Sequence, residues 1–117
     1  IEIRVPKELS IQSGDLGIII GNLMDNAIEA NMVLKEGMRY LKVNIAYLQK
    51  NLLLKIENPI SVRQQKQYQS KKTWKKDTYN HGIGLKSIEK ILKSYDANME
   101  IDCGETFVVK IIFFHVL

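Results

Sequence analysis

Residues 21–30 have the sequence GNLMDNAIEA, and this stretch decides the fold prediction. Apolar residues recur through it and just before it at positions 16, 19, 20, 23, 27 and 28, which is the spacing of one helix face. We therefore expect a helix over about residues 14–32, with Ser13 or Asp15 able to cap its start.

The polar residues of this helix are unusual. Asn22 and Asn26 are one turn apart, with Asp25 and Glu29 beside them, and the spacing predicts all four on the face opposite the apolar side. Asparagine is a poor helix former, so two in register need a reason. They either face solvent or supply amide oxygens to a hard cation or a polar ligand.

Outward from this helix, the chain alternates short β-rich stretches with one more helical pattern. Residues 1–5 predict a strand, and residues 40–48 and 52–57 predict a hairpin that ends at Asn58-Pro59. A second helix follows Gly84, and two strands at 99–102 and 107–116 complete the chain. We expect an α/β (α+β) two-layer sandwich, with a mostly antiparallel mixed sheet, both helices on one face, and the other face open to solvent or another domain.

Two glycines open the second helix, in the sequence HGIGL at residues 81–85. They allow a ligand to approach the backbone, and the unpaired N–H groups of a helix start favour an anion. No strand precedes them, which argues against a dinucleotide-binding fingerprint, and no Lys-Ser/Thr pair of a P-loop follows. Alone, this phosphate cradle is weak evidence.

Composition bounds the function. The 117 residues suit one domain, and no apolar run approaches the length of a membrane span. The single cysteine, Cys103, favours a reducing cytoplasmic setting. Residues 60–81 hold six cations against one acidic residue and show no periodicity, so we expect a long lid or a solvated loop there. Its charge suits phosphates, acidic proteins or membrane headgroups.

Three of these stretches, in this order, resemble the GHKL (Bergerat-fold) ATPases. The Asn22–Ala27 stretch looks like their N box, residues 81–85 look like their glycine-rich G2 box, and Gly104-Glu-Thr106-Phe is similar to their last box. The best resemblance is to the catalytic domain of peptide-pheromone quorum-sensing histidine kinases of the accessory-gene-regulator type, which resemble this chain in having Glu57-Asn58-Pro59.

The resemblance implies roles for individual residues. It makes Asn26 the ligand of the Mg²⁺ that bridges the nucleotide phosphates, and Asn58 the partner of the adenine amino group. Asn22 stands where water-activating members have Glu, which favours transfer to a histidine over hydrolysis. Thr106 would support the adenine through water, or is an ordinary strand residue. Because an amide, unlike a carboxylate, can also flip and donate, Asn58 implies a weaker rejection of guanine than the family's Asp.

The sequence also departs from the family pattern. Glu29 and Ala30 replace the cation and aromatic residue that many histidine kinases have, so positive charge near the phosphates would have to come from the lid or from the histidine. The resemblance assigns nucleotide contacts to Asn22, Asn26, Ala30, Asn58, Lys75, Lys76, His81, Gly82, Ile83, Gly84, Leu85 and Thr106.

The implied function is that of a sensor histidine kinase catalytic domain, which binds ATP with Mg²⁺ and passes the γ-phosphate to a histidine on a separate dimerisation domain. The chain starts at Ile1, so we expect a piece of a longer protein, a homodimer held in a bacterial membrane by segments absent here. A response regulator is the expected later partner, and direct nucleic-acid contact is not expected. The alternatives are a nucleotide-binding interaction module without kinase activity and a nucleic-acid binder that uses the basic segment.

Overall fold

The computed structural model describes residues 2–4, 9–69 and 84–116. In chain order, the elements are β1 (Glu2–Arg4), α1 (Ser13–Met32), a short 3-10 helix (Glu36–Met38), β2 (Lys42–Leu48), β3 (Asn51–Pro59), α2 (Val62–Gln69), α3 (Gly84–Leu92), β4 (Ala97–Cys103) and β5 (Thr106–Phe113).

The five described strands form one sheet in the order β1-β2-β3-β5-β4. β1 pairs with β2 in parallel, and the other three pairings are antiparallel, which confirms the predicted mostly antiparallel mixed sheet. Gln49 and Lys50 join β2 to β3 with φ angles of 52° and 67°. Positive φ at both central residues is the geometry of a two-residue hairpin whose twist matches that of its strands.

The core lies between one face of the sheet and the two helices α1 and α3. Alternate residues of the strands are buried there, as a period of two requires. α1 contributes Ile19, Leu23 and Ala27, and α3 contributes Ile88 and neighbours one turn away. Each fully buried Ile or Leu adds about 1.5–3 kcal/mol of hydrophobic stabilisation. The predicted two-layer arrangement, with helices on one side, is confirmed.

The opposite face of the sheet carries the other set of alternating side chains. In the register, Lys55 lies directly opposite Lys110, and Lys110 lies opposite Glu100. Leu48, on the same face, is 71% exposed. No helix of the described chain packs on this face, in agreement with the prediction that it is open.

The predicted structureless lid at 60–81 is wrong for its first part, because α2 occupies Val62–Gln69. Ser61 explains the helix start: its Oγ accepts a hydrogen bond from the Gln64 N–H at 3.1 Å, and Gln64 Oε1 accepts one from the Ser61 N–H at 3.2 Å. This reciprocal capping box satisfies two backbone donors. The Ser-x-x-Gln spacing was readable in the sequence but carries no apolar periodicity.

Several predicted boundaries also change. The N-cap of α1 is Gln12, with no side-chain cap, so Ser13 and Asp15 lie inside the helix and the prediction that either caps it is wrong. The Asp15 carboxylate accepts a hydrogen bond from the Tyr95 hydroxyl at 2.5 Å. β3 continues through Pro59, which pairs with Thr106. β5 ends at Phe113, two residues before His115 takes a left-handed φ of 53°. Within the described ranges, no helix combines the length and apolarity needed to cross a bilayer.

Candidate nucleotide-binding site

Asn22 and Asn26 lie at the border of the buried stripe of α1. Both are partly buried, whereas Asp25 and Glu29 are exposed. The prediction that all four face away from the apolar side is therefore wrong for the asparagines. The reason is geometric: Asn26 follows the fully buried Ile19 by seven residues, which is almost two whole turns and brings the two side chains to nearly the same direction.

A third asparagine on α1 shows how unusual these two are. Asn31 uses its whole side-chain amide, donating to the carbonyls of Ala27 and Tyr40 and accepting from the Tyr40 N–H. Asn22 and Asn26, by contrast, find no hydrogen-bond partner for their side chains anywhere in residues 9–66 or 85–116. Because no buried side-chain nitrogen or oxygen of the described residues lacks a partner, the amide atoms of Asn22 and Asn26 reach the surface, where they are available to a ligand.

Asn58 is the one buried polar residue among those described, at 3% exposure. It lies near the end of β3 in the row of side chains that faces the helices. Its Nδ2 donates to the carbonyl of Pro59 at 2.9 Å. No donor from the described residues reaches its Oδ1. One of the two Nδ2 hydrogens is engaged in this way, which fixes the orientation of the amide and leaves Oδ1 as an acceptor for a ligand.

Two residues that the sequence analysis did not assign to the nucleotide site share the row of Asn58. Asn58 lies opposite Phe107 on β5, and Phe107 lies opposite Cys103 on β4. Both are partly buried, and Phe107 packs against the core. Burial, with a smaller contribution from the Asp102 charge, raises the pKa of the Cys103 thiol, which keeps it neutral.

Thr106 is one position before Phe107 on β5, so its side chain lies on the opposite face of the sheet from that row. It pairs with Pro59, and successive side chains of a strand alternate between the faces of the sheet. A hydroxyl at this place would approach an adenine beside Asn58 only around the strand ends. The role assigned to Thr106 stays a prediction.

α3 begins at Gly84 and packs against α1. The start of α3 and the asparagines of α1 therefore belong to neighbouring elements. The side chain of Leu85 is buried in the core, which leaves only its main chain for a ligand. Ala30 is partly buried, one turn beyond Asn26. The other predicted contacts, at Lys75, Lys76, His81, Gly82 and Ile83, lie outside the described residues, as does most of the lid.

The side-chain amide oxygens on α1 suit a cation that binds together with an anionic ligand. The described residues contain no group of three His, Cys, Asp or Glu side chains that could hold a metal alone. Mg²⁺ prefers oxygen ligands, keeps several waters, and is usually bound by few protein groups together with substrate phosphates. The neutral amide oxygen of Asn26 fits that chemistry, because the phosphates supply the negative charge.

Residues 11–114 match the family described as GHKL domain. No curated protein matches the chain. Solved structures do. They include the histidine kinase AdeS of Acinetobacter baumannii, at 19% identity and a TM-score of 0.63, over 87% of this chain and 46% of that one. The catalytic domain of the histidine kinase ThkA matches at 15% identity and a TM-score of 0.63, over 89% of this chain and 68% of that one.

The histidine kinase domain of a blue-light activated kinase from Erythrobacter litoralis also matches, at 11% identity and a TM-score of 0.63, over 86% of this chain. At these identities the structures establish the fold alone, and the chain spans less than half of the AdeS and Erythrobacter structures. The family match, however, extends over most of the 117 residues. The chain therefore belongs to the GHKL family of ATP-binding domains and has the fold of histidine kinase catalytic domains.

Proposed function

We propose that this domain binds ATP with Mg²⁺ beside α1 and presents the γ-phosphate to a histidine on a separate dimerisation domain. The observation that carries the proposal is the pair Asn22 and Asn26, partly buried, one turn apart and without partners in the described chain. Asn26 would supply one oxygen to the Mg²⁺, whose role when bound is to neutralise the phosphate charge. Asn22 would hold the triphosphate from the neighbouring turn.

The adenine end of the ligand would lie at Asn58. Adenine carries an amino group where guanine carries a carbonyl oxygen. An acceptor at Oδ1 therefore pairs with adenine and opposes guanine. Because Nδ2 is engaged by the Pro59 carbonyl, a flip of the amide would sacrifice that bond. This favours ATP over GTP more strongly than the residue type alone.

Phosphate transfer in such a site needs positioning more than proton chemistry. The acceptor imidazole nitrogen forms the new bond to phosphorus while the bond to the ADP oxygen breaks. Water is not the nucleophile, so a carboxylate base at position 22 is not needed, and an amide serves. The N–H groups at the start of α3, with the positive end of its dipole behind them, would face the phosphates. Lys75, Lys76 and residues 81–83 would add to this.

The wider setting follows from the same proposal. The full protein would be a homodimeric sensor kinase, held in a bacterial membrane by segments outside this chain, whose phosphate passes on to a response regulator. The Glu57-Asn58-Pro59 sequence supports the peptide-pheromone quorum-sensing type.

Calorimetry with a non-hydrolysable ATP analogue tests binding directly. We expect saturable binding that weakens strongly when Mg²⁺ is replaced by EDTA. The matched control is Asp25→Asn, which changes an exposed neighbour on the same helix and should bind as the unchanged chain does. Binding of equal strength with and without Mg²⁺ would contradict the role of Asn26 at the metal.

A second experiment separates a kinase from an interaction module. The domain is mixed with a separately produced helical hairpin that carries the acceptor histidine, and with radiolabelled ATP. Acid-labile phosphate on the hairpin supports transfer. Nucleotide binding with no phosphate on the hairpin favours the interaction module without kinase activity.

A further inference from the structure

Asn31 ties the end of α1 to the segment that enters β2. Its Nδ2 donates to the Ala27 carbonyl at 2.9 Å and to the Tyr40 carbonyl at 3.0 Å, and its Oδ1 accepts from the Tyr40 N–H at 3.2 Å. The side-chain amide thus pairs with the backbone of Tyr40 as a neighbouring strand would. These bonds fix where residue 40 lies along the axis of α1.

Tyr40 in turn reaches β3 through its side chain. Its hydroxyl donates to Glu57 Oε2 at 3.1 Å. Lys42 holds the same carboxylate oxygen at 3.7 Å and lies over the Tyr40 ring, 5.5 Å from its centre. Burial and the Glu57 carboxylate raise the pKa of the Tyr40 hydroxyl, so it keeps the proton that it donates.

These contacts connect the two parts of the site through residues next to each. Ala27 follows Asn26, and Glu57 precedes Asn58. We propose that Asn31, Tyr40 and Glu57, here named the Tyr40 bracket, set the distance between the phosphate end and the adenine end of the nucleotide site. The proposal rests on the proposed function. The three are positioning residues, since each acts through Asn26 or Asn58.

The physical argument concerns a ligand that spans both ends. A nucleotide with Mg²⁺ gains from Asn26 and Asn58 together only if their separation matches the ligand, and rigid placement lowers the cost of ordering on binding. Adenosine touches one end only, so it does not depend on that separation. A bracket therefore affects the affinity for ATP with Mg²⁺ and leaves that for adenosine unchanged, whereas general loss of structure affects both.

The experiment measures dissociation constants of the ATP analogue with Mg²⁺, and of adenosine, for the unchanged chain and its variants. Asn31→Ala should weaken the analogue about tenfold, the scale of one lost hydrogen bond, with adenosine unchanged. Tyr40→Phe removes only the bond to Glu57 and should weaken the analogue about threefold, because that bond is partly solvated. Tyr47→Phe removes a hydroxyl from β2 outside the bracket and is the matched control, expected to bind as the unchanged chain does.

The outcomes are distinguishable. Selective weakening of the analogue in Asn31→Ala and Tyr40→Phe, with Tyr47→Phe unaffected, supports the bracket. Equal weakening of the analogue and adenosine, or no weakening of either, overturns it while the proposed function stands. Failure of the unchanged chain to bind the analogue overturns both. Should Asn31→Ala not fold, Tyr40→Phe decides, because it keeps the ring and the backbone bonds to Asn31.

Discussion

The two ends of α1 and its middle use polar side chains in opposite ways. At the start, Asp15 accepts from the Tyr95 hydroxyl, and at the end, Asn31 bonds three backbone groups. Arg39 adds to the second anchor by donating to the carbonyls of Met32 and Leu34. In the middle, Asn22 and Asn26 find no such partner in the described chain.

This contrast distinguishes polar residues that anchor α1 to the rest of the fold from polar residues that α1 only positions. Polar groups at the ends are consumed by the fold, so removing them should cost stability. Polar groups in the middle contribute no bond to the described fold and lower helix propensity, so removing them should cost binding alone.

The largest expected effect is on Asn26→Ala. Loss of a metal ligand should weaken the ATP analogue in the presence of Mg²⁺ about 100-fold or more, since affinity there depends on charge neutralisation. Stability should be unchanged or slightly higher, by about 0.5 kcal/mol, because alanine is the better helix former. Calorimetry and urea unfolding measure the two. A loss of stability with unchanged affinity for the analogue would show that Asn26 supports the fold and does not bind the ligand.

The next effect is on base selection at Asn58. Asn58→Ala should weaken the ATP analogue about tenfold and bring its affinity near that of the GTP analogue, because the acceptor for the adenine amino group is gone. Asn58→Asp keeps an acceptor and is the control, expected to retain the preference for ATP. Competition binding gives both ratios. If the unchanged chain binds the ATP and GTP analogues equally well, Asn58 does not recognise adenine.

At the far end of α1, Asn31→Ala should lower the free energy of unfolding by about 1–3 kcal/mol. The reason is that the partly buried Asn31 side chain makes three hydrogen bonds to backbone groups, and the substitution removes all of them. Asn22→Ala, the same substitution in the middle of the helix, is the matched control and should not destabilise. Urea unfolding of the two variants measures the difference in their free energies of unfolding. Equal losses of stability would contradict the distinction between the end and the middle of α1.

The smallest effect concerns Tyr95 at the start of α1. The hydrogen bond to Asp15, with some burial, raises the pKa of the Tyr95 hydroxyl above its ordinary value of 10. Its contribution to stability is therefore complete below pH 10 and is lost as the pH rises through the raised pKa. Tyr95→Phe should cost about 1 kcal/mol at pH 7.

Because the contribution of the hydroxyl is already absent, the stability of Tyr95→Phe should fall less than that of the unchanged chain above pH 10. Thermal unfolding between pH 7 and 11 measures this. Parallel curves for the two chains would show that the Asp15 contact contributes nothing to the anchor of α1.

Much of the fold was readable because its signals are periodic. The apolar spacing from Leu16 to Ile28 gave α1 to within one residue at its start, and the β-rich stretches gave the hairpin. α2 was missed because its start depends on a capping box and not on an apolar face. The hydrogen bond between Asp15 and Tyr95 was also missed, because a contact between residues 80 positions apart leaves no local signal.

The candidate site divides in the same way. The asparagines of α1, Asn58 and Gly84 at the start of α3 were predicted as site residues from residue types and from a family resemblance, and these roles stay predictions. The row that joins Asn58 to Phe107 and Cys103 depends on the register of three strands, which a single sequence does not specify. The link from Asn31 through Tyr40 to Glu57 depends on hydrogen bonds across elements that no spacing predicts.

Local sequence patterns were enough to identify α1, α3, most of the strands and the family, because helix and strand periods and short motifs are local properties of a chain. They were not enough for α2. Only the tertiary structure decided that Asn31 is bonded while Asn22 and Asn26 are not, and that Asn58 offers an acceptor. Those outcomes depend on which groups meet after the elements pack, since a buried polar group is defined by its partners in space and not by its neighbours in sequence.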